Sequence, residues 1–565
     1  MAADDASAPV DTTAHKTPRR DDGHGRDPDP DHDHDHEPGL PASLVAEAKC
    51  GAVAEQSMSL GTSLALYPKA VLWSVLLSST LVMEGYDLAL LGNLYASQPF
   101  NRKYGTYNAS TGKYAVSAAW QSGLSNGARA GEIVGLMLAG WTVDRWGYKR
   151  SMLLFLVLMI AFVFVLVFAP NVAVLVAGEV LCGIPWGAFQ SITPAYAAEV
   201  APVVLRPYLT TFINMCWVIG QFFAEAVNKG SHGRGDSWAY RIPFAVQWVW
   251  PVPILAGVLF APESPWWHMR KNDRPAAAAA LARLASRSHA GFNPSATLAL
   301  IEHTNERERR LKEGVTYADC FRGVDLRRTE VVVGIWLVQT LGGQNLMGYF
   351  AYFLTQAGMD ASSSFSLSLG QYALGMVGTA GSWVLMSRVG RRSIYVGGLS
   401  CQCLLLLVVG ALSVSAAGSN ASVWAIGATL IAFTFVYDFG VGPVTYALVS
   451  ELSSTRLKTK TIVLARAAYN ASNIFVNVMT NYQLGTAAWN WGARAAFFWA
   501  GTCLASLVWA WFRLPEPRGR TYAELDDLFE RGVPARRFAS TQADPYTGGG
   551  GGGGGGGKHH DHGHA

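Results

Sequence analysis

The sequence has little charge for its length. Asp, Glu, Lys and Arg make up 15% of the 565 residues, whereas 50% are hydrophobic and 12% aromatic, and the mean hydropathy is +0.19. Long stretches are nonetheless hydrophilic, so the apolar residues must be concentrated elsewhere. They form recurring runs of about 20 residues, which are typical of membrane spans. A soluble multidomain enzyme is therefore excluded.

Motifs for covalent, metal or nucleotide chemistry are also missing. The seven cysteines lie mostly inside apolar runs and show neither a disulfide framework nor the spacing of a zinc site. No Walker motif follows a strand, and there is no nucleophile elbow. We therefore expect no enzymatic activity, no ATP-driven transport, no cofactor, no metal site and no nucleic-acid partner. The chain does not begin with the basic and apolar segments of a signal peptide.

Both ends of the chain are polar. Residues 1–68 hold 5 Lys and Arg against 13 Asp and Glu and are rich in His, Pro and Gly, a composition that predicts disorder. The other end carries ten glycines at 548–557 and then KHHDHGHA. The His runs could chelate divalent metals, but a low-complexity or cloning-related origin is the favoured interpretation.

Between the tails, the apolar runs predict an all-α membrane protein with twelve transmembrane helices in two sets of six. Each run can cross about 30 Å of hydrocarbon as a helix, which satisfies its own backbone hydrogen bonds. The predicted domains are a disordered cytoplasmic tail (1–68), a six-helix bundle (69–262), a central loop with short helices (263–330), a second six-helix bundle (331–512) and a cytoplasmic C-terminal tail (513–565).

Basic residues and repeated motifs indicate orientation and symmetry. Lys and Arg crowd the central loop and the loops on the same side, which by the positive-inside rule places them and both termini in the cytoplasm. The sequons at Asn108 and Asn420 fall on predicted outer loops. GWTVDRWGYKR (140–150) is echoed by VLMSRVGRRS (384–393), and PESP (262–265) by PEP (515–517). Such parallel halves are typical of rocking transporters with a site between the halves.

These motifs resemble the sugar porter branch of the major facilitator superfamily. The D-R-x-G-x-[RK]-R loop at 144–150, PESP and the LPEPRGRTYAELDDLFE ending match that branch. EGYDLALLGNLYASQPFNRKYG (84–105) and GEVLCGIPWGAFQ (178–190) are most similar to the fungal α-glucoside (maltose-type) proton symporters. The resemblance covers about residues 65–535. It implies the fold of that superfamily, with two six-helix pseudo-repeats.

The resemblance also implies a function. We expect a plasma-membrane protein, embedded in the lipid bilayer as a monomer, that imports an α-glucoside such as maltose with a proton by alternating access. A hexose uniporter or proton symporter is the nearest alternative. A non-transporting sugar sensor that signals through its tail is an alternative from another class.

Charged residues inside the predicted spans are candidates for proton coupling. A charge at mid-membrane costs on the order of 3 kcal/mol, so it should be paired, solvated or functional. Glu84 and Asp87 share one helix face, where two carboxylates cannot both ionise cheaply. The α-glucoside permeases have matching charges, implicated in proton coupling, at Glu84, Asp87, Glu132 and Arg466. The alternative is a structural ion-pair network. For Glu179 and Asp438 a structural pair and a coupling role are equally favoured.

A sugar site needs amide and hydroxyl groups that replace water, together with aromatic faces. The resemblance implies such contacts at Asn214, Gln339, Asn345, Tyr349, Tyr446 and Asn473, with Gln221 and Asn477 as weaker additions. The alternative for each is a polar residue that bridges helices. Tyr446 stands where glucose transporters tend to have tryptophan, which would enlarge the pocket towards a disaccharide.

Acids and bases alternate in the cytoplasmic motifs, which favours a gate over simple topology signals. Charge-assisted pairs there would hold the inner face shut and separate when it opens. The predicted gate residues are Asp144, Arg145, Arg150, Glu199, Arg206, Glu263, Arg388, Arg392, Glu451 and Arg456.

Three residues depart from the wider branch. Ser387 replaces an aspartate, which predicts a weaker clamp in the second half. Thr340 replaces a glutamine of the helix 7 pattern. Glu179 replaces a helix 4 arginine, so an aspartate-to-arginine proton switch cannot be copied here.

Overall fold

A computed structural model describes residues 41–95, 97–108, 112–231, 233–286, 293–312, 316–356, 358–415, 420–454, 456–485, 488–518, 520 and 522–541. Of the predicted tails (1–68 and 513–565), residues 1–40 and 542–565, with the His runs and the glycine run, lie outside the described residues. So do the acceptor side chains Asn108 and Asn420 and the side chain of Ser387.

The described chain is helical, as predicted, with a small antiparallel hairpin between β1 (Thr106–Asn108) and β2 (Lys113–Ala115). Two helices come before the first predicted span: α1 (Ala42–Ser57) and α2 (Leu60–Leu66). The following helices make up what we call the N-half: α3 (Pro68–Ser78), α4 (Thr80–Leu94), α5 (Gln98–Tyr104), α6 (Ala118–Trp146), α7 (Tyr148–Val167), α8 (Val172–Val200), α9 (Arg206–Ser231), α10 (Trp238–Val246) and α11 (Pro251–Val258).

The second half, which we call the C-half, repeats this layout. It contains α15 (Gly323–Leu341), α16 (Asn345–Gly348), α17 (Phe350–Gln356), α18 (Ala361–Arg388), α19 (Arg391–Ser415), α20 (Asn420–Val436), a π-helical turn (Tyr437–Val441), α21 (Gly442–Leu452), α22 (Lys458–Leu484) and α23 (Ala495–Arg513). Because α15 begins at Gly323, the C-half starts inside the predicted central loop rather than at residue 331.

The central segment is helical, as predicted, with α12 (Pro265–Arg270), α13 (Arg274–Leu284), α14 (Pro294–Lys312) and a 3₁₀ turn at Tyr317–Phe321. After α23, the chain forms α24 (Tyr522–Glu530) and a 3₁₀ turn at Ala535–Arg537. The prediction of disorder up to residue 68 is wrong from Ala42 onward. The reason is tertiary: α1 packs on α14, and Gly51 lets its backbone approach the carbonyl of Ala296.

Six helical segments of the described chain are long and apolar enough to cross a membrane. They are Pro68–Leu94, Tyr148–Val167, Val172–Val200, Arg391–Val414, Ala421–Leu452 and Gly492–Arg513. The other predicted spans are interrupted or carry more polar and charged residues. The predicted span 331–356, for example, is divided by a turn after Leu341 in which Gly343 has a φ of 87°. Only glycine adopts such a φ readily.

Glycines set a close helix crossing in the N-half. Gly127, Gly131 and Gly135 are spaced four residues apart on α6 and face α8, whose Gly183 lies against Gly131 and whose Gly187 lies against Glu132. A Cβ on Gly131 would lie 2.9 Å from the Cα of Gly183, so the two backbones are in contact. Small residues at this spacing are typical of helices that pack inside membranes.

Two faces of the bundle serve as reference points. The hairpin face carries β1, β2 and the first residues of α6. The central-segment face carries α12–α14 and the end of α6, where the Trp267 indole donates a hydrogen bond to the Val143 carbonyl at 2.9 Å.

Candidate functional site

A cavity lies between the N-half and the C-half. Its empty volume, part of which is open to solvent, is about 1000 Å³. Four of the six predicted sugar contacts line it: Asn214, Asn345, Tyr349 and Asn473. The weaker additions Gln221 and Asn477 line it as well.

The other two predicted sugar contacts have packing partners instead. The amide of Gln339 donates to the Gly442 carbonyl at 3.3 Å and is buried between α15 and α21. The centre of the Tyr446 ring lies 5.2 Å from that of Trp336, in an edge-on arrangement, and 6.1 Å from that of Trp217, in a tilted one. Neither side chain forms part of the cavity wall in this structure.

Several wall residues were missed from the sequence. They are Ser125, Trp217, Gln344, Tyr437 and Tyr469. Helical spacing could have found one of them, because Tyr469 lies one turn before Asn473 on α22, and its hydroxyl accepts a hydrogen bond from Gln344 at 3.2 Å. Tyr437 belongs to the π-helical turn, a backbone feature that the sequence pattern does not predict.

A buried charged network lies beside the cavity. One guanidinium nitrogen of Arg129 donates to both carboxylate oxygens of Glu132, at 2.9 and 2.8 Å, and lies 3.6 Å from Glu84. The Gln190 amide donates to Glu84 at 2.7 Å and accepts from Arg466 at 2.8 Å. The network thus joins Glu84, Glu132 and Arg466, three of the four predicted coupling residues, and it crosses from the N-half to the C-half.

Aromatic rings surround Arg466. Its guanidinium carbon lies 5.0 Å from the centre of Trp217, 4.6 Å from Trp336 and 4.5 Å from Tyr469. Cation–π attraction stabilises a guanidinium that has few polar neighbours. Trp217 belongs to the N-half and the other two rings to the C-half, so this cage also spans the interface.

The fourth predicted coupling residue, Asp87, lies in a separate group. Its carboxyl accepts a hydrogen bond from Gln247 at 2.8 Å and lies next to Glu179 of α8. Both acids are almost fully buried, and Glu84 and Asp87 both line the cavity. Two adjacent buried carboxyls cannot both carry a charge cheaply. The pair can therefore hold a proton close to the cavity.

Two further buried acids lie between the halves. Asp438, in the π-helical turn, accepts from Asn214 of α9 at 3.3 Å. Glu225, which was not among the acids predicted from the sequence, accepts a hydrogen bond from Asn93 at 2.5 Å and one from Ser368 of the C-half at 2.7 Å. Glu225 is 1% exposed, so these contacts replace its water.

The family model described as "Sugar (and other) transporter" matches residues 73–529. The chain belongs to this family. The match confirms the resemblance to sugar porters, and the chain is a transporter rather than an enzyme.

Two yeast relatives of this sugar transporter are long matches. "Maltose permease MAL31" of Saccharomyces cerevisiae is 42% identical over 518 residues, covering 90% of this chain and 83% of the relative. The "General alpha-glucoside permease" of the same yeast is 44% identical over 499 residues, covering 87% and 80%.

Solved structures of the xylose transporter XylE from E. coli share the fold. A partially occluded inward-open form gives a TM-score of 0.64 at 18% identity, covering 80% of this chain and 99% of XylE. The proton:xylose symporter XylE bound to 6-bromo-6-deoxy-D-glucose gives 0.66 at 19%, covering 82% and 98%. These likenesses show the major facilitator fold.

On the central-segment face, two family motifs act as helix caps. Glu263 of PESP accepts the backbone N–H groups of Tyr148 and Lys149 at 2.9 and 3.0 Å, and Glu516 of PEP accepts those of Arg391 and Arg392, both at 3.0 Å. A carboxylate at a helix N-terminus is favourable. Burial raises the pKa of Glu263, and these N–H groups oppose that rise.

Six of the other nine predicted gate residues make contacts within their own half or its adjoining segment. Glu199 pairs with Arg270 at 2.7 Å, Glu451 with Arg391 at 3.4 Å, and Arg456 with Asp325 at 3.0 Å. Backbone carbonyls accept from Arg206 and Arg392, and the carbonyl of Arg388 accepts from Arg518. Asp144, Arg145 and Arg150 are exposed.

On the hairpin face, contacts join the two halves of the transporter. Asn481 donates to Ser122 at 3.3 Å, Asn477 to Asn126 at 3.2 Å, and the Tyr349 and Ser125 hydroxyls lie 3.1 Å apart. The close approach of Gly92 to the Gly348 carbonyl adds a backbone contact. The halves are therefore packed together between the cavity and this face.

Proposed function

We propose that the protein imports an α-glucoside disaccharide such as maltose together with a proton by alternating access. The main support for this proposal is that Glu84 and Asp87 line the same cavity as the amides of Asn214, Asn345 and Asn473. Proton-binding groups and sugar-binding groups thus share one compartment between the halves. The 42–44% identity to the yeast maltose and α-glucoside permeases supports the choice of substrate.

We further propose twelve spans, a plasma-membrane location, and a cytoplasmic position for both termini and the central segment. The positive-inside distribution of Lys and Arg supports this orientation. The six segments of sufficient length and apolarity, together with the XylE-like fold, support the count. The transport unit is a monomer, because the cavity is formed by the two halves of one chain.

With this orientation, the structure represents an inward-facing state. The contacts at the hairpin face close the outer side. The pairs at Glu451 and Arg456 lie within the C-half, and Glu199 pairs with the central segment that adjoins its own half. In the outward-facing state the predicted gate residues would instead pair across the central-segment face.

Expression in yeast that lacks its own sugar permeases tests the proposal. Labelled maltose and glucose are added in turn while the pH of a weakly buffered medium is recorded. We expect maltose uptake with transient alkalinisation of the medium, because each import event removes a proton. An empty-vector strain is the control.

Three results would contradict the proposal. Maltose uptake without alkalinisation would reject proton coupling. Uptake of glucose with no uptake of maltose would favour a hexose transporter. A protein that reaches the plasma membrane and takes up neither sugar would reject transport of both substrates.

A further inference from the structure

Gln190 lies at the centre of the charged network, although nothing in the coupling motifs selects it. It is 9% exposed and lies on α8, between Glu84 of α4 and Arg466 of α22. The amide nitrogen of Gln190 lies 2.7 Å from Oε1 of Glu84, whereas Nη1 of Arg129 lies 3.6 Å from the same oxygen. Through this amide the N-half forms a hydrogen bond with the guanidinium of the C-half.

The orientation of the Gln190 amide follows from chemistry, although oxygen and nitrogen look alike in most structures. A guanidinium has only donors, so the atom facing Arg466 must be the amide oxygen. The amide nitrogen then faces Glu84, where it needs an acceptor. Both oxygens of a deprotonated Glu84 are acceptors, so either one can receive this hydrogen bond. The observed arrangement is therefore the one expected when Glu84 is charged.

We propose that Gln190 is a positioning residue that couples the protonation of Glu84 to the separation of the two halves. When Glu84 takes up a proton, its hydroxyl becomes a donor and favours the amide oxygen. Rotation of the amide would satisfy Glu84 and turn the NH₂ group towards Arg466, where donor meets donor. Arg466 then loses its hydrogen bond to the N-half and keeps only the ring contact with Trp217. The only covalent bond formed is the O–H of Glu84.

Other groups around Glu84 set the background for this switch. Two cations, Arg129 and Arg466, face Glu84. The nearby groups that become negatively charged when they lose a proton are Glu132, Asp87 and Tyr446. Arg129 is held by two hydrogen bonds to Glu132 on its own helix. Arg466 has no such acid on its helix within this network, and one of its guanidinium nitrogens, Nη1, is buried without a hydrogen-bond partner among the described residues. Its hydrogen bond to the N-half can therefore respond to Gln190.

This inference rests on the proposed proton symport and is tested with Gln190→Met and Gln190→Glu in the full chain. Methionine keeps the length of the side chain and removes the amide. We expect Gln190→Met to retain exchange of labelled for unlabelled maltose while accumulation falls about tenfold, the effect of one charge-assisted hydrogen bond. The matched control is Gln402→Met, which removes a buried glutamine of α19 that lines neither the cavity nor the charged network.

Gln190→Glu supplies a readout that a packing role would not produce. At neutral pH a second carboxylate would face Glu84, whereas the introduced carboxyl, once protonated, could again donate to Glu84 and accept from Arg466. We expect the pH optimum of maltose uptake to move about one unit towards acid. Gln402→Met should leave the optimum unchanged.

The outcomes separate the two hypotheses. If the wild type moves no protons with maltose, the proposed function fails. If the wild type is coupled and both Gln190 variants keep wild-type accumulation and pH optimum, this inference fails. If Gln190→Met does not reach the membrane, the pH optimum of Gln190→Glu decides.

Discussion

Asp87 and Glu84 lie one turn apart on α4 and have different partners. Glu84 contacts Gln190 and lies 3.6 Å from Arg129, whereas Asp87 contacts Gln247 and lies beside a second acid, Glu179. A carboxyl with an acidic neighbour and no cation in direct contact is suited to bind and release a proton. We therefore expect Asp87 to be the principal proton carrier. Glu84 is expected to link protonation to the C-half through its contact with Gln190.

Replacing Asp87 by Asn tests this division. The amide keeps the size of the side chain but cannot carry a proton. We expect Asp87→Asn to abolish accumulation of maltose against its gradient while exchange of internal for external maltose is partly retained. Both are measured with labelled maltose in the permease-deficient yeast.

The matched control is Asp236→Asn, the same substitution at an exposed position near the hairpin face. It should leave accumulation and exchange unchanged. Equal loss of accumulation and exchange in Asp87→Asn would instead indicate a structural role for Asp87.

Asn345 tests the sugar site. It lines the cavity and donates to Asn477 at 2.7 Å, so its amide is available to a sugar hydroxyl once that contact is exchanged. We expect Asn345→Ala to raise the KM for maltose about tenfold, the cost of one lost hydrogen bond of about 1.4 kcal/mol. Gln98→Ala, at an exposed amide on α5, is the control. An unchanged KM in Asn345→Ala would remove this residue from the site.

For single residues, the sequence predicted which charged side chains belong to the site better than it predicted the contacts that they make. Glu84, Glu132 and Arg466 do form one network, because intramembrane charges have few other ways to be satisfied. Gln190 and Glu225 were not predicted, since an uncharged amide and an acid near a helix end carry no clear signal. Gln339 and Tyr446 were assigned from a motif, but a motif does not determine which side of α15 or α21 faces the cavity.

Among the helices, the crossing of α6 and α8 controls the position of Arg129 and Glu132. We expect Gly183→Ala to lower stability by about 1–3 kcal/mol, because the added Cβ would lie 3.0 Å from the Cα of Gly131 with only backbone to move. The measurement is the Tm of the purified protein in detergent.

Gly140→Ala is the control for this crossing. Gly140 lies on α6, beyond the crossing, with no atom within 4 Å of the added Cβ, and alanine has the higher helix propensity. The Tm of this variant should be unchanged or slightly higher. A similar Tm for both variants would show that the crossing tolerates a wider separation than the structure has.

The sequence predicted where helices lie but not where they break. The apolar runs at 331–356 and 422–447 were each predicted to be one continuous helix. Hydropathy depends only on side chains, so it does not show where the pattern of backbone hydrogen bonds changes. The first is divided at Gly343, and the second contains a π-helical turn at Tyr437–Val441, shortly before Pro443 within α21. Proline has no N–H to donate, which favours an irregular turn before it. Both breaks place residues in the cavity wall.

For the whole molecule, alternating access requires the hairpin face to open. We expect a disulfide between Ser122→Cys and Asn481→Cys, introduced after replacement of the exposed Cys50 and Cys401, to abolish uptake until it is reduced. The cross-link would hold the two halves together on that face.

A second pair controls for oxidation itself. Tyr107→Cys and Tyr114→Cys lie opposite each other in the hairpin between β1 and β2, so their disulfide stays within the N-half. Uptake should survive this cross-link. Undiminished uptake with the Ser122–Asn481 cross-link formed would show that the hairpin face need not open.

The overall architecture was the most predictable level. Residues 140–150 and 384–393, with PESP and PEP, indicated two related halves, and the repeated caps by Glu263 and Glu516 give that repeat a physical meaning. The packing of α1 on α14 was missed, because composition describes a segment without the surface that it meets.

Transport by the purified protein in vesicles tests the central claim most directly. Labelled maltose is added outside vesicles with an alkaline interior, and its internal concentration is followed over time. We predict accumulation above the external concentration, which collapses when a protonophore removes the pH gradient. The same final level with and without the gradient would contradict proton-coupled import.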